Sequence, residues 1–280
     1  MSGRRLRDWA FWGLCGLAML GSAAPAVSVL VSVVHQAAPV LDWSLLTRRS
    51  NAGGIENAVL GTLWLLLGVL VLAGSIGIGA GVYLAELATG RVARVLRFGS
   101  EVLAGMPSIV IGYIGYVTMV VGLHWGYSYL AGVIALSVLV LPYIVKTTEV
   151  ALRQVPSALR EGAVGLGMAH RQVIWRILLP PAAPAVVSGV VVALAISTGE
   201  LAPLLFTVGF TDSNPSLAPL HQQVPYLTSV TFTDLSLPGA RAHATAAAAG
   251  AASLAILVLL ILLGRALSRR SRLATAQMTL

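Results

Sequence analysis

Residues 161–180 read EGAVGLGMAHRQVIWRILLP. Glu161, His170, Arg171 and Arg176 lie here between two long apolar runs, so the stretch reads as a polar elbow joining two membrane-spanning helices. Val155-Pro156-Ser157 comes just before it. The proline disfavours helix in the residue before it and has no N–H to donate, which stops the preceding helix. Ser157 is expected to cap a short new helix. Within that helix Leu159, Ala163 and Leu166 fall at i, i+4 and i+7 and make one apolar face. Gly165 and Gly167 offer places for it to end. Residues 171–176 then form a second turn leading to Leu179-Pro180-Pro181. A short amphipathic helix held between two spans suits docking into a groove on another protein, with Glu161 pairing charge at the rim. The same pattern also fits a helix lying on lipid headgroups.

The rest of the chain supports a membrane setting. Of its 280 residues 57% are hydrophobic and 10% are charged, which excludes an ordinary soluble domain. A bilayer crossing takes about 20 apolar residues, because in lipid the backbone must satisfy its hydrogen bonds within the helix. Apolar runs near 10–34, 56–88, 100–123, 127–151, 176–208 and 241–264 predict an all-α, polytopic protein with about six transmembrane helices. The second and fifth runs are too long for one straight crossing and imply tilt or projection beyond the lipid. Arg4, Arg5 and Arg7 followed by an apolar run could open a secretory signal peptide, but the run continues from about Ala10 to Val34 and reads as a first transmembrane helix.

Orientation follows from the basic residues. One set of flanks holds Arg4, Arg5, Arg7, Arg91, Arg94, Arg97, Lys146, Arg153, Arg160, Arg171, Arg176, Arg265, Arg269, Arg270 and Arg272. The other holds Arg48, Arg49 and Arg241 alongside Asp42, Asp212 and Asp234. The first set is therefore expected to face the cytoplasm, with both termini and the elbow on that side of the membrane. The net charge of +8 is spread between apolar spans rather than gathered in one patch, so nucleic acid is not an expected partner. Cys15 is the one cysteine and cannot form an intrachain disulfide. His35, His124, His170, His221 and His243 show no metal-ligand spacing. Two longer polar connections, near 35–55 and 209–240, lie on the outer side and read either as plain loops or as contacts for an external delivery protein.

The elbow resembles the EAA loop of ABC importer permeases, E-A-A-x3-G-x9-I-x-L-P, with Gly162 in place of the first alanine. The resemblance extends over roughly residues 50–265. It includes Gly53-Gly54-Ile55, Asn57, Gly61-Thr62-Leu63, the Tyr83–Ala88 run, Gly105-Met106-Pro107-Ser108-Ile109-Val110, Leu141-Pro142, Thr147-Thr148-Glu149 and Gly199-Glu200-Leu201-Ala202-Pro203-Leu204-Leu205-Phe206-Thr207. Together these are similar to the PstA-type permease subunits of bacterial phosphate ABC importers, with Leu201 where threonine is commoner. The resemblance implies the type I ABC importer permease fold. It implies an N-terminal tail, first helix and outer loop over 1–50, a permease domain over 51–265 with a coupling loop near 152–176, and a cytoplasmic tail over 266–280. It also implies that Leu159, Arg160, Glu161, Gly162, Ala163, Leu166 and Gly167 couple to an ATPase. A PstC-like permease, two PstB-like ATPase subunits and a PstS-like phosphate-binding protein would complete the machine. No cofactor is expected in this chain, since ATP and magnesium belong to the partner ATPase and no G-x4-G-K-[ST] motif is present. Gly74–Gly81 lacks the lysine of such a motif and suits close helix packing instead.

An ionisable residue inside a membrane is costly unless it faces a partner or water. Glu200, deep in the fifth run beside Ser197, Thr198 and Gly199, is the leading pathway candidate; the other reading is a structural ion pair at a subunit interface. An ionised carboxylate repels phosphate, so Glu200 calls for a cationic counterpart or a proton. Phosphate permeases of this type commonly carry arginine four residues earlier, where this chain has Ile196. Arg241 or a partner subunit is then the remaining source of positive charge. Ser108 is a second candidate, because Pro107 can break the third run and open helix ends toward a polar cavity, or simply kink it. Glu86, Glu101 and Glu149 lie near basic helix ends and are expected to form ion pairs. The resulting expectation is a non-catalytic permease subunit of an ATP-driven phosphate importer. A permease for another oxyanion such as sulfate or molybdate, a membrane scaffold signalling phosphate status, and an ATP-independent carrier are the rivals.

Overall fold

The computed structural model describes the backbone of residues 3–215 and 218–277; the side chains of Arg4, Arg5, Arg269, Arg270 and Arg272 lie outside the described residues. Every regular element described is helical. In chain order these are α1 (Gly3–Ala37), α2 (Trp43–Thr47), α3 (Glu56–Glu86), α4 (Gly90–Gly105), α5 (Ser108–Gly115), α6 (Tyr129–Arg153), α7 (Ser157–Gly165), α8 (His170–Gln172), α9 (Leu179–Gly199), α10 (Ala202–Thr207), α11 (Leu227–Ser236) and α12 (Ala240–Gln277). Two π-helical stretches, Tyr116–Gly122 after α5 and Val173–Leu178 before α9, extend their neighbours. Among the described residues, five helical segments are long and apolar enough to cross a membrane: Arg7–Val40, Glu56–Glu86, Tyr129–Arg153, His170–Gly199 and Ala240–Ser268. A sixth arises if α4 and the α5 segment count as one broken crossing.

That broken crossing corrects the third expected span. Residues 100–123 do not form one helix: α4 ends at Gly105, Pro107 adopts an extended ψ of 134°, and the two halves meet at 102°. Pro107 supplies no N–H to continue the ladder, so the chain turns here and restarts at Ser108. The fifth expected span, 176–208, is also divided. It stops at Gly199, Glu200 takes an extended conformation, and α10 restarts at Ala202. At the other end of the chain, α12 runs helically to Gln277, well past the expected end near 264.

The bundle is organised around α3, α6 and α9. Their contact forms the largest core cluster, with Leu65 and Val69 from α3, Leu136, Val140 and Ile144 from α6, Ala193 and Leu194 from α9, and Leu204 from α10. Between apolar helices in lipid the hydrophobic effect contributes little, so close van der Waals packing has to hold them. Small residues make that possible: a Cβ on Gly77 of α3 would lie 2.8 Å from the Ile144 side chain, and one on Gly81 would lie 2.5 Å from Thr148. A second cluster ties α2, the start of α3, α11 and α12 together through Leu45, Ile55, Leu227, Val230 and Ala249. In contrast, α1 packs mainly along α12 and leaves Trp9, Trp12, Leu14 and Leu20 exposed, a surface suited to lipid. Cys15 is exposed on the same helix.

Candidate functional site

At the elbow, the turn from α6 to α7 is made by Pro156, whose ψ of 135° ends one helix before the next begins. The expected serine cap is absent. Ser157 is already the first helical residue, Pro156 occupies the cap position, and no side-chain cap bond forms. The far end of α7 closes with a Schellman motif: Gly167 N–H donates to Val164 O and Met168 N–H to Ala163 O, with Gly167 at φ +76°. Gln172 then accepts from Ala169 N–H to start the following turn.

The elbow folds back on itself, and this changes which side chains face outward. Ala163 is buried among Leu152, Val173 and Leu178, whereas Leu159 and Leu166 are exposed, Leu166 by 85%. The single apolar face expected from Leu159, Ala163 and Leu166 is therefore split, because Val173 and Leu178 of the next segment cover the alanine. Val164 and Trp175 join Leu159 and Leu166 as exposed apolar groups. Glu161, Gly162 and Gly167 are exposed beside them.

Arg160 points the other way. Its guanidinium meets Glu86 at 2.6 Å, joining the elbow to the end of α3. A carboxylate at a helix C-terminus is unfavourable against the dipole, and Arg160 offsets it. Nearby, Glu149 of α6 pairs with Arg97 at 2.8 Å and Arg153 at 3.1 Å. Arg97 and Arg153 also donate to Leu84 O, one of the carbonyls near the end of α3. Three arginines and two glutamates thus bind α3, α4, α6 and α7 together at one point. Glu101 lines a small crevice beside Arg97 and Lys146 without an ion pair of its own among the described residues.

The second candidate region is the break after α9. Ser197, Thr198 and Glu200 line one small cavity of about 10 Å³, completed by Thr62, Tyr226 and Thr228 and by leucines from α3, α6 and α10. Ser197 and Thr198 donate to carbonyls one turn back, Ala193 O and Leu194 O. Thr228 donates to Glu200 O at 3.0 Å, satisfying a carbonyl that the broken helix leaves free. Thr62 donates to Ala58 O and accepts from Leu227 N–H, pinning the 226–228 segment against α3. The Glu200 carboxylate has no partner among the described residues. Glu200 is not deep within a continuous helix, as expected, but at the break itself, half-buried.

Ser108 and Arg241 are not part of this cavity. Ser108 is the first residue of α5, half-buried. Arg241 is exposed and lies between two open cavities: one of about 730 Å³ with Arg48, Asp42 and His243, the other of about 410 Å³ with Asp212 and Asp234. Burial raises the Asp234 carboxyl above its ordinary pKa, and the nearby Asp212 charge adds to this. Ile196, partly buried, packs against the main core. Tyr226, Thr62 and Thr228 were not among the expected site residues. Thr62 stood only within the Gly61-Thr62-Leu63 stretch of the resemblance, and the local signal for the other two was an aromatic, Tyr226, set within a turn-rich polar connection.

Comparison with known proteins gives the class. The fold matches, over 94% of this chain and 96% of the other, a crystal structure of a bacterial ABC transporter involved in the import of the acidic polysaccharide alginate, with TM-score 0.66 and 18% identity. It also matches an inward-facing MetNI methionine ABC transporter, TM-score 0.63, over 78% and 97% of the two chains. The architecture is that of type I ABC importer permeases. Residues 77–273 match the family described as binding-protein-dependent transport system inner membrane component. Among its relatives, the phosphate transport system permease protein PstA 2 of Mycobacterium tuberculosis (strain CDC 1551 / Oshkosh) is 42% identical over 241 residues, 85% of this chain and 80% of that protein. PstA of Xylella fastidiosa (strain Temecula1 / ATCC 700964) is 34% identical over 209 residues, 73% of each. The chain belongs to this family of inner-membrane permease components and, within it, to the PstA-type permeases. Membership carries with it a multi-pass location in the inner membrane and work alongside an ATPase and a substrate-binding protein.

Proposed function

We propose that this chain is the transmembrane permease subunit of an ATP-driven inorganic phosphate importer and forms half of the translocation pathway. The observation that carries this is the 42% identity to a phosphate permease, spread over 85% of the chain rather than confined to one motif. The basic flanks face the cytoplasm, as the positive-inside rule requires, so the elbow and both termini lie inside. A PstC-like permease completes the pathway, a pair of PstB-like ATPases binds the elbows, and a PstS-like protein delivers phosphate from outside. ATP and magnesium are held by the ATPase, and this chain carries no cofactor and does no chemistry itself.

In this reading the outward-facing Leu159, Leu166 and Trp175 enter the ATPase groove with Glu161 at the rim, and Gly162 and Gly167 keep the turn narrow. Ala163 and Arg160 work from behind, one packing the elbow together and the other linking it to α3. ATP favours one global state of the ATPase pair, and the elbows bias the transmembrane halves toward the matching state. Ser197, Thr198 and Glu200 lie where the pathway closes, with Ser108 and Arg241 toward other parts of it.

Labelled-phosphate uptake should appear when the complex is expressed in cells lacking their own phosphate importer; sulfate uptake without phosphate uptake would overturn the reading. Gly167→Asp and Glu161→Lys should each reduce ATPase association while membrane insertion persists, and normal coupled transport in both would defeat the docking role. A permease for sulfate or molybdate is the second reading, favoured by Ile196, which removes the arginine that phosphate permeases of this type commonly carry one turn before Glu200.

A further inference from the structure

The cavity beside Glu200 holds a lopsided set of polar groups. Thr62, Ser197, Thr198 and Thr228 each commit their single hydroxyl proton to a main-chain carbonyl. What they can offer the cavity is lone pairs, and the carboxylate of Glu200, which also lines it, adds acceptor oxygens. Against these acceptors stands one free donor. Tyr226 is 1% exposed, lines the cavity, and its hydroxyl has no hydrogen-bond partner. A buried hydroxyl without a partner is costly and calls for one. Glu200 and Tyr226 are the titratable groups lining the cavity; α3, α6 and α10 contribute leucines and Thr62, and no described arginine, lysine or histidine lines it.

Such a ring is poorly matched to a fully deprotonated oxyanion, which would bring acceptors to acceptors. It suits an oxyanion that carries its own O–H. That ligand donates a hydrogen bond from its O–H to the Glu200 carboxylate and accepts one from Tyr226. Charge repulsion from Glu200 also falls by half when the ligand bears one negative charge instead of two. Phosphate near neutral pH carries one or two O–H groups, whereas sulfate carries none. We propose that Tyr226 and Glu200 form a selectivity pair that passes inorganic phosphate in its proton-bearing forms, dihydrogen phosphate above all. The inference rests on the phosphate-permease reading and adds the form of the substrate to it. At about 10 Å³ the cavity has room for roughly one water, so it is the closed form of this point in the pathway. Phosphate passes when the α9–α10 break and the 226–228 segment part.

The test uses the complete complex, with partner permease, ATPase and saturating binding protein, rebuilt in vesicles. Labelled phosphate taken up per ATP hydrolysed is followed from about pH 6 to about pH 8, across the second ionisation of phosphate. Wild-type uptake should fall as dihydrogen phosphate disappears. Tyr226→Phe should lower uptake about tenfold at every pH, the loss of one hydrogen bond to a charged group. Glu200→Gln, whose amide both donates and accepts, should flatten the pH profile. Wild-type uptake from Tyr226→Phe, or an unchanged pH slope in Glu200→Gln, would overturn the pair while leaving the phosphate reading intact. Loss of assembly in both variants would also overturn it, by making both residues structural. No phosphate uptake by the wild-type complex would instead remove the phosphate reading and the pair with it.

Discussion

Arg160 and Glu86 show how one contact decides what a residue is for. Glu86 keeps 3% of its side chain exposed and Arg160 keeps 36%. Arg160→Ala would leave a buried carboxylate at a helix C-terminus with no counter-charge. Breaking a fully buried pair costs about 3–5 kcal/mol, and the solvent reaching Arg160 lowers that to about 2 kcal/mol. The purified complex should unfold at a measurably lower temperature, whereas Glu161→Ala on the exposed side of the same turn should leave that temperature nearly unchanged. Asp234 gives a pH-dependent case. Burial and Asp212 raise its folded pKa, so its contribution to stability is complete below the ordinary carboxylate range and is lost as pH rises through the folded value. Asp234→Asn should therefore raise the unfolding temperature at about pH 7 and give no gain at about pH 4. A gain of equal size at both would show that charge is not the cause.

Among the elements, the α3–α6 contact is the one most dependent on small side chains. Gly77→Leu drives a branched side chain into Ile144, and overpacking of this kind costs about 1–3 kcal/mol. Gly79, two residues on, faces open space, and Gly79→Leu should be tolerated. Comparing the yield of folded complex for the two variants separates packing from composition, since both add the same side chain to the same helix. The crossings themselves were legible in the sequence because an apolar run of sufficient length is a local property. The bends were not. Pro107 was legible as a breaker of regular helix, but the 102° turn made there depends on how α4 lies against α6. At the elbow, the short helix was legible from its local signals, but the single apolar face of the i, i+4, i+7 pattern was not realised, because Val173 and Leu178 fold over Ala163.

Across the whole molecule, the candidate pathway was half legible. Ser197, Thr198 and Glu200 are neighbours in the chain and could be grouped by sight. Tyr226 and Thr228 reach them only because Leu227 N–H bonds to Thr62, 165 residues away, and no local pattern announces such a contact. Ser108 and Arg241 were grouped with Glu200 by chemistry, but the fold sets them apart. The most extreme long-range pairing is that of α1 with α12. These helices pack along each other although about 200 residues separate the end of one from the start of the other. At a synthesis rate of about 5–20 residues per second, α1 waits roughly 10 to 40 s after emerging before its neighbour exists. During that time Trp9, Trp12 and the rest of its apolar surface must be sheltered by lipid or by the insertion machinery. Helix α1 is thus placed only after α12 has been made, and this part of the bundle cannot close before then.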